Sequence, residues 1–270
     1  MKHFALLYTF ILAGCLMLAG CAAKTATSQA PAGELRVMSY NIHHANPPSR
    51  PGEIDLEAIA RVIRDQKADL VALQEVDVNT GRSGTVNQAS ALAELLGMNF
   101  YFARAIDFDG GKYGVAILSR YPLSGMETMS LPETAAPQSE DRVLATATVA
   151  LPDGRMIRFG SMHLDVSNAA NRLQQVQAIN QVAAQEKRPF ILAGDFNDMP
   201  ESAAIQELDK LFTRTCGSNC APTIPVDAPT RTIDFIAFTH ASGLEVVSQQ
   251  VVPERYASDH LPVVATLQFK

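Results

Sequence analysis

Residues 188–200 read RPFILAGDFNDMP, and this stretch decides the fold. Its apolar part, Pro189–Asp195, predicts a short strand that runs directly into the polar residues Asp195 and Asn197. A strand that ends in polar side chains is typical of α/β proteins, which place their sites at the carboxyl ends of strands. Taken alone, the Asp-Phe-Asn segment could also form a simple Asx turn.

The same alternation of strands and helices extends outward in both directions. Further strands are predicted by apolar runs at Leu35–Asn41, Asp69–Val76, Tyr113–Ser119, Val143–Ala150, Met156–His163, Ile233–Thr239, Leu244–Val252 and Val263–Phe269. Helices are predicted over Asp55–Gln66, Asn87–Leu96, Asn168–Gln185 and Glu201–Leu211, the last of them opened by Pro200.

Polar side chains that could carry chemistry lie at or near the ends of these strands. They are Asn41, Glu75, His163, Asp195, Asn197, Asp234, Asp259 and His260. Each one also has an ordinary structural interpretation: Asn41 as a turn former, Glu75 as a solvated acid and His163 as a buried, hydrogen-bonded imidazole. Asp234 is different because it lies in an apolar run, where a carboxylate must be paired or ligated.

The joint pattern resembles the endonuclease/exonuclease/phosphatase superfamily of metal-dependent phosphodiesterases. The resemblance covers residues 35–270 in order, and its motifs are Ser39-Tyr-Asn-Ile42, Leu73-Gln-Glu-Val76, Gly114–Ser119, Ser161–Asp165, Gly194-Asp-Phe-Asn197, Pro229–Ile236 and Ser258-Asp-His-Leu-Pro262. It implies a four-layer α/β sandwich, in which two mixed β-sheets pack face to face and helices cover the outer faces.

The resemblance also implies a role for each polar position. Glu75 is expected to be the main ligand of Mg²⁺ or Mn²⁺, supported by Asn41 and Asp259, since hard oxygen ligands suit these cations. His260 and Asp234 are expected to form a dyad in which the imidazole acts as general base or stabilises the phosphate. The water-positioning and phosphate-binding side chains are then Asp195, Asn197 and His163.

Two arginines and one departure complete this comparison. Arg82 and Arg142 are weaker candidates for phosphate contacts, and for each of them the sequence favours a solvated surface side chain. Val115 stands where many relatives carry asparagine, which puts one polar contact behind the site in doubt.

The N-terminus predicts a lipoprotein signal peptide over residues 1–20. Lys2 and His3 precede an apolar run over residues 4–19, which is short for a membrane-spanning helix. Leu18-Ala-Gly-Cys21 resembles a lipobox with Cys21 as the lipidated residue, and Cys15 in Leu12-Ala-Gly-Cys15 is a second candidate. An ordinary transmembrane anchor and a cleaved secretory signal are the alternatives.

A flexible tether is predicted after the lipid-carrying cysteine, over residues 21–34, and the globular domain over residues 35–270. This places the protein in the cell envelope, at the outer membrane, in an oxidising compartment. The spacing of Cys216 and Cys220 then favours a short disulfide-closed loop over free thiols or a metal site.

Composition limits the functions that remain. With 47% hydrophobic and 19% charged residues among 270, wholesale disorder is excluded. A net charge of -6 and the absence of tryptophan argue against a nucleic-acid-binding protein. Together with this limit, the family resemblance and the predicted lipid anchor imply a monomeric hydrolase of lipid-linked or small phosphate esters, with no stable nucleic-acid partner. An extracytoplasmic nuclease and a non-catalytic lipoprotein on the same fold are the rival hypotheses.

Overall fold

The computed structural model describes residues 1–3, 33–133 and 139–270. In this part of the chain there are twelve strands: β1 Glu34–Asn41, β2 Leu70–Val78, β3 Asn99–Phe108, β4 Gly111–Ser119, β5 Leu123–Ser130, β6 Val143–Ala150, β7 Met156–His163, β8 Phe190–Asp195, β9 Phe212–Arg214, β10 Asp234–Thr239, β11 Leu244–Val251 and β12 Val263–Phe269. The α-helices are α1 Leu56–Asp65, α2 Gln88–Leu96, α3 Ala169–Gln185 and α4 Ala203–Leu208.

The strands form two six-stranded mixed sheets, in the orders β11-β12-β1-β2-β4-β3 and β5-β6-β7-β8-β10-β9. Each sheet contains one parallel pair near its centre, β1 with β2 in the first and β7 with β8 in the second. The carboxyl ends of each parallel pair therefore meet at one edge of their sheet.

Three apolar clusters hold the layers together. The first lies between the sheets and includes Val37 of β1 and Phe159 of β7. The second joins the outer face of the first sheet to α1 and α2, and the third joins the outer face of the second sheet to α3 and α4. The predicted four-layer α/β sandwich is confirmed, and burial on both faces explains why the central strands are almost continuously apolar.

Capping side chains begin the helices. Asp55 accepts a hydrogen bond from Ala58 N, Asn87 from Ser90 N and Asn168 from Asn171 N, each at the start of a predicted helix. Gly97, in the left-handed conformation, follows the last residue of α2, which is the predicted Leu96.

The predicted start of the fourth helix at Pro200 is wrong. Pro200 lies in a turn, and α4 begins only after Ser202, whose hydroxyl accepts a hydrogen bond from Ile205 N at 3.3 Å. The helix also ends at Leu208, before the predicted Leu211. The serine cap outweighs the proline signal because it satisfies a free backbone N–H group of the first turn.

Cys216 and Cys220 form a disulfide in the connection between β9 and β10, with a Cα–Cα distance of 4.9 Å. The proposed signal peptide and Cys21 lie outside the described residues, apart from residues 1–3. In the described ranges, no helix has the length and apolarity required to cross a membrane.

Candidate active site

One edge of the sandwich collects polar side chains from both sheets. In the first sheet, Asn41 ends β1 and Glu75 lies in β2. In the second sheet, His163 ends β7 and pairs in register with Asp195 at the end of β8, which in turn pairs with Asp234 at the start of β10. The register of three neighbouring strands thus places these three side chains side by side.

Asn41 connects the two sheets. Its side-chain amide donates to Glu75 Oε1 and to Asp195 Oδ2, both at 3.1 Å. Its carbonyl oxygen accepts the backbone N–H of His43 at 3.1 Å, which fixes the orientation of the amide group. The hydrogen bond to His43 N is that of an Asx turn, so Asn41, which is 1% exposed, both forms a turn and joins the two sheets.

Glu75 lies at an irregularity of β2. The register between β2 and β4 shifts between Leu73 and Val76, and Glu75 has a φ of +57°, in the left-handed region. Such bulges re-aim a side chain. Burial opposes ionisation, but His44, whose Nδ1 lies 4.0 Å from Glu75 Oε2, and the Asn41 amide hold the pKa of Glu75 well below its usual value. Glu75 is therefore an ionised carboxylate at neutral pH.

Asp195 is the centre of the cluster. Asn197 N donates to its Oδ1 at 2.8 Å, while Nε2 of His163 and Nε2 of His260 lie 3.5 and 3.8 Å from its Oδ2. Burial raises the pKa of Asp195 well above its usual value, and the charge of Asp234 adds to the increase. The charge of His260 lowers this pKa only in part, so it stands at about 7 and the Asp195 carboxylate can take up a proton near neutral pH.

His260 and Asp234 form a hydrogen-bonded pair, with His260 Nδ1 at 2.9 Å from Asp234 Oδ2. Thr223 donates its hydroxyl to the same carboxylate oxygen at 2.6 Å. Burial disfavours the charged imidazole, but the charge of Asp234 and its hydrogen bond outweigh this and raise the pKa of His260 well above its usual value. The pair is thus an imidazolium held by a carboxylate, with His260 Nε2 on the side of Asp195.

His163 lies on the other side of Asp195 and is electrically different. Burial and the charge of Arg142 lower the pKa of His163 to about 3, so the ring is neutral. Its Nδ1 has no hydrogen-bond partner among residues 33–133 and 139–270. Val115, the position that departs from the family pattern, lies near the same ring.

Asn197 and Asp259 flank the cluster in loops. Asn197 has a φ of +50° and donates its side-chain amide to Leu164 O at 3.0 Å, which fixes the loop after β8 against the loop after β7. Asp259 is half-buried, and its neighbour Ser258 donates to Asn41 O at 2.7 Å. Asp259 is therefore tied to the Asn41 end of the site.

The two arginines occupy different surroundings. Arg82 makes a two-pronged ion pair with the buried Asp77, Nε to Oδ2 at 2.7 Å and Nη2 to Oδ1 at 2.9 Å. Arg142 is 4% exposed and pairs with Glu140 at 3.0 Å through Nη2. Neither is a solvated surface arginine, and the donors Nε and Nη2 of Arg82 are already committed to Asp77.

Sequence reasoning missed three residues of this site: His44, Thr223 and Ser258. Ser258 stands in the Ser258–Pro262 motif, but a serine beside Asp259 and His260 carries no signal of its own. Thr223 lies eleven residues before Asp234 in a loop, and nothing in the local pattern indicates their contact. His44 follows β1, the strand that contains Asn41, and it lies in a turn of residues with positive φ that local sequence does not predict.

The residues present fit a divalent cation. Glu75, Asn41 and Asp195 are linked by hydrogen bonds and offer hard oxygen atoms, the ligands that Mg²⁺ and Mn²⁺ prefer. Asp195, Asp234 and His260 also have ligand atoms within 4.8 Å of one another and could hold a metal. Because His260 Nδ1 and Asp234 Oδ2 already bond to each other, we favour the Glu75 side for the cation.

This fold and this cluster define a hydrolase with a four-layer α/β sandwich and a carboxylate–histidine site at one edge. The chain belongs to the Endonuclease/Exonuclease/phosphatase family, whose sequence model matches residues 38–260. Members of this family hydrolyse phosphoester bonds and typically depend on divalent metals.

Similar proteins agree with this placement. The Escherichia coli protein YbhP, described as uncharacterized, is 28% identical over 245 residues, which cover 86% of this chain and 95% of YbhP. The structure of an endonuclease/exonuclease/phosphatase from Beutenbergia cavernae has a TM-score of 0.75 and 28% identity, and the match covers 88% of this chain and 72% of that chain. An inositol phosphosphingolipids phospholipase C from Schizosaccharomyces pombe is 26% identical over 63% of this chain and 43% of its own length.

Proposed function

We propose that this protein is a divalent-metal-dependent phosphoesterase of the cell envelope that hydrolyses lipid-linked or small phosphate esters. The observation that carries the proposal is a continuous chain of polar contacts across the two sheets, from Glu75 through Asn41 and Asp195 to His260 and Asp234. Such a chain brings anionic ligands for a cation and a fixed positive charge to one position, which is what phosphate-ester hydrolysis requires.

His260 stabilises the phosphate in this proposal. Its raised pKa keeps the ring charged, and a charged imidazole cannot accept a proton from water. Asp234 holds Nδ1, so Nε2 is the atom free to donate to a phosphate oxygen. The choice between base and phosphate stabiliser, which the sequence left open, is therefore made in favour of the stabiliser.

Asp195 takes the proton of the attacking water. Its carboxylate lies between two imidazoles, and its raised pKa favours proton uptake. The backbone N–H of Asn197 donates to Oδ1 of Asp195, and Nε2 of the neutral His163 lies 3.5 Å from its Oδ2. Glu75 and Asn41 would hold the cation with Asp259 nearby, and a bound cation supplies positive charge to the phosphate oxygens.

Net charge and sequence similarity both favour lipid-linked or small phosphate esters as the substrate class. A net charge of -6 disfavours long nucleic acids, which need a basic surface. The resemblance of residues 18–21 to a lipobox supports a location beside phospholipid headgroups. The partial similarity to a sphingolipid-cleaving phospholipase C is consistent with such substrates.

The experiment is a parallel hydrolysis screen of the full-length protein in detergent. The substrates are bis-p-nitrophenyl phosphate, p-nitrophenyl phosphate, sphingomyelin, inositol phosphates and plasmid DNA, each with Mg²⁺ or Mn²⁺ and with EDTA. We expect EDTA to abolish hydrolysis and Glu75→Gln to raise the metal concentration needed for half-maximal rate. Full activity in EDTA would overturn the metal dependence, and turnover of DNA alone would replace the proposal with the nuclease hypothesis.

A further inference from the structure

The turn after β1 has an unusual backbone. His43, His44 and Ala45 are successive non-glycine residues with φ of +47°, +44° and +58°. Left-handed φ values are uncommon for residues other than glycine, and a run of them persists only where the surroundings determine it. The turn immediately follows Asn41, the residue that connects Glu75 with Asp195.

Buried contacts hold this turn in place. Gln88, which is fully buried, donates to His44 O at 2.7 Å and accepts from Asp77 N at 2.9 Å. His43 Nδ1 lies 2.8 Å from Asn46 O, and the rings of His43 and His44 meet edge to face with centroids 4.5 Å apart. The position of the His44 ring is therefore fixed by the fold.

The His44 ring places an unpartnered nitrogen near the Glu75 carboxylate. Nδ1 is buried and has no hydrogen-bond partner among the described residues. It lies 4.0 Å from Glu75 Oε2, too far for a hydrogen bond. Two ligands of one cation, each about 2.1 Å from it, can lie up to about 4.2 Å apart, so this distance is within the span of a shared ion.

We propose that His44 Nδ1 is a nitrogen ligand that joins Glu75 in the cation site, and that it biases this site towards first-row transition metals over Mg²⁺. The inference rests on the proposed metal dependence and adds the ligand that sets metal preference. Imidazole nitrogen suits transition metals, whereas Mg²⁺ takes oxygen ligands and keeps its waters. Because Nδ1 has no hydrogen-bond partner among the described residues, its lone pair is not committed to another group, and cation binding would select the tautomer that carries the proton on Nε2.

The test measures metal binding directly, without turnover. Titration calorimetry gives the Kd of Co²⁺ and of Mg²⁺ for the full-length protein in detergent, and electron spin echo modulation of bound Mn²⁺ detects a coupled ¹⁴N nucleus. The variant is His44→Asn, because asparagine tolerates left-handed φ and keeps the turn. The control is His240→Asn, an exposed histidine in the short helix before β11.

We expect His44→Asn to weaken Co²⁺ binding by about 10-fold or more and to leave the Mg²⁺ Kd within about twofold. Mutation of residues that only support a metal ligand already costs about 10-fold in affinity, so loss of a ligand should cost at least as much. The ¹⁴N signal of Mn²⁺ should disappear in His44→Asn and persist in His240→Asn. An unchanged ratio of the Co²⁺ and Mg²⁺ constants, or a ¹⁴N signal that survives in His44→Asn, would overturn the inference alone. Unaltered cation binding in Glu75→Gln would overturn the proposed metal site together with it.

Discussion

At the scale of single residues, the hydrogen bond between His260 Nδ1 and Asp234 Oδ2, at 2.9 Å, can be tested directly by mutation. Asp234 is 2% exposed, and a buried carboxylate without a partner would cost several kcal/mol. We predict that His260→Ala lowers kcat by about 10² or more, in line with the contribution of one positioned proton donor. Asp234→Asn should lower kcat too, because the imidazole loses the charge that keeps it protonated and oriented.

The double variant tests whether the two residues act as one unit. Residues of one unit fail together, so His260→Ala with Asp234→Asn should be scarcely slower than the slower single variant. Losses that multiply would show instead that Asp234 works independently of His260. Single-turnover kinetics of the three variants decides between these outcomes.

The strand-end residues could be recognised from the sequence because their types and order follow a family pattern. The backbone conformations that orient them, and the neighbouring residue His44, could not. A bulge puts Glu75 in the left-handed conformation, and His44 reaches the site because of three successive left-handed residues. These conformations arise from tertiary contacts such as that of Gln88 with His44 O, which local propensity does not encode.

At the scale of elements, the loop between β2 and α2 is held by the Arg82–Asp77 pair. Asp77 also accepts hydrogen bonds from Thr80 and Ser83, at 2.8 and 2.6 Å. We predict that Arg82→Ala lowers the free energy of unfolding by about 2 kcal/mol, because it removes two charge-assisted hydrogen bonds from a buried carboxylate. Urea denaturation measures this loss.

Arg104→Ala is the matched control. Arg104 pairs with Asp107 on β3 at 3.1 Å, but both side chains are at least half exposed, so the loss should stay within about 0.5 kcal/mol. If Arg82 contacts the substrate phosphate instead, Arg82→Ala should raise KM and leave stability intact.

The connection from β7 to α3 makes stability depend on pH. Asp165 accepts hydrogen bonds from Ser139, Asn171 and the backbone N–H groups of Ser167 and Asn168. Burial opposes ionisation, but the side chains of Asn171 and Ser139 outweigh it and hold the pKa of Asp165 well below its usual value.

A lowered pKa in the folded state contributes stability above the unfolded pKa of about 3.9, and this contribution is lost as pH falls further. We predict that Asp165→Asn is destabilised relative to the natural chain at pH 7 and that the difference shrinks at pH 3. Urea denaturation at pH 7, 5 and 3 follows it. A difference that stays constant with pH would assign the loss to packing alone.

The strands that the sequence did not predict all lie at the edges of the two sheets. β3 and β5 are the outermost strands of their sheets, and their burial is incomplete along most of their length. β9, the other outermost strand of the second sheet, has only three residues. An edge strand lacks the apolar run of a strand buried on both faces, so its sequence signal is weak.

At the scale of the whole molecule, the N-terminal sequence predicts an anchored protein. Ala22 follows Cys21, and no aspartate there signals retention at the inner membrane. Cys21→Ser should therefore leave an unprocessed precursor, and the natural protein should fractionate with the outer membrane. Immunoblotting of membrane fractions checks both results. Normal processing of Cys21→Ser would exclude Cys21 as the acceptor and direct the same test to Cys15.

The four-layer architecture was predictable because the motifs occur in the order of one family, and the members of that family share this fold. Net charge and composition argue against a nucleic-acid-binding protein but do not identify the substrate. Properties of the whole chain do not describe the side chains of one site. How the site is assembled from two sheets emerged only from the structure. The Asn41–Asp195 hydrogen bond joins residues 154 positions apart, and no local pattern encodes such a contact.

The position of β12 in the first sheet sets the stage of folding at which the site can be completed. Among the described residues, β12 is the last strand and lies beside the first, between β1 and β11. Ser258, shortly before β12, donates a hydrogen bond to Asn41 O across 217 positions. Contacts between such distant parts of a chain form slowly, because a long loop must close first. A nascent chain therefore cannot complete the site until Ser258 and His260 have been synthesised and have reached Asn41 and Asp234. During refolding, hydrolytic activity should return only after β12 has paired with β1, later than signals that report local structure.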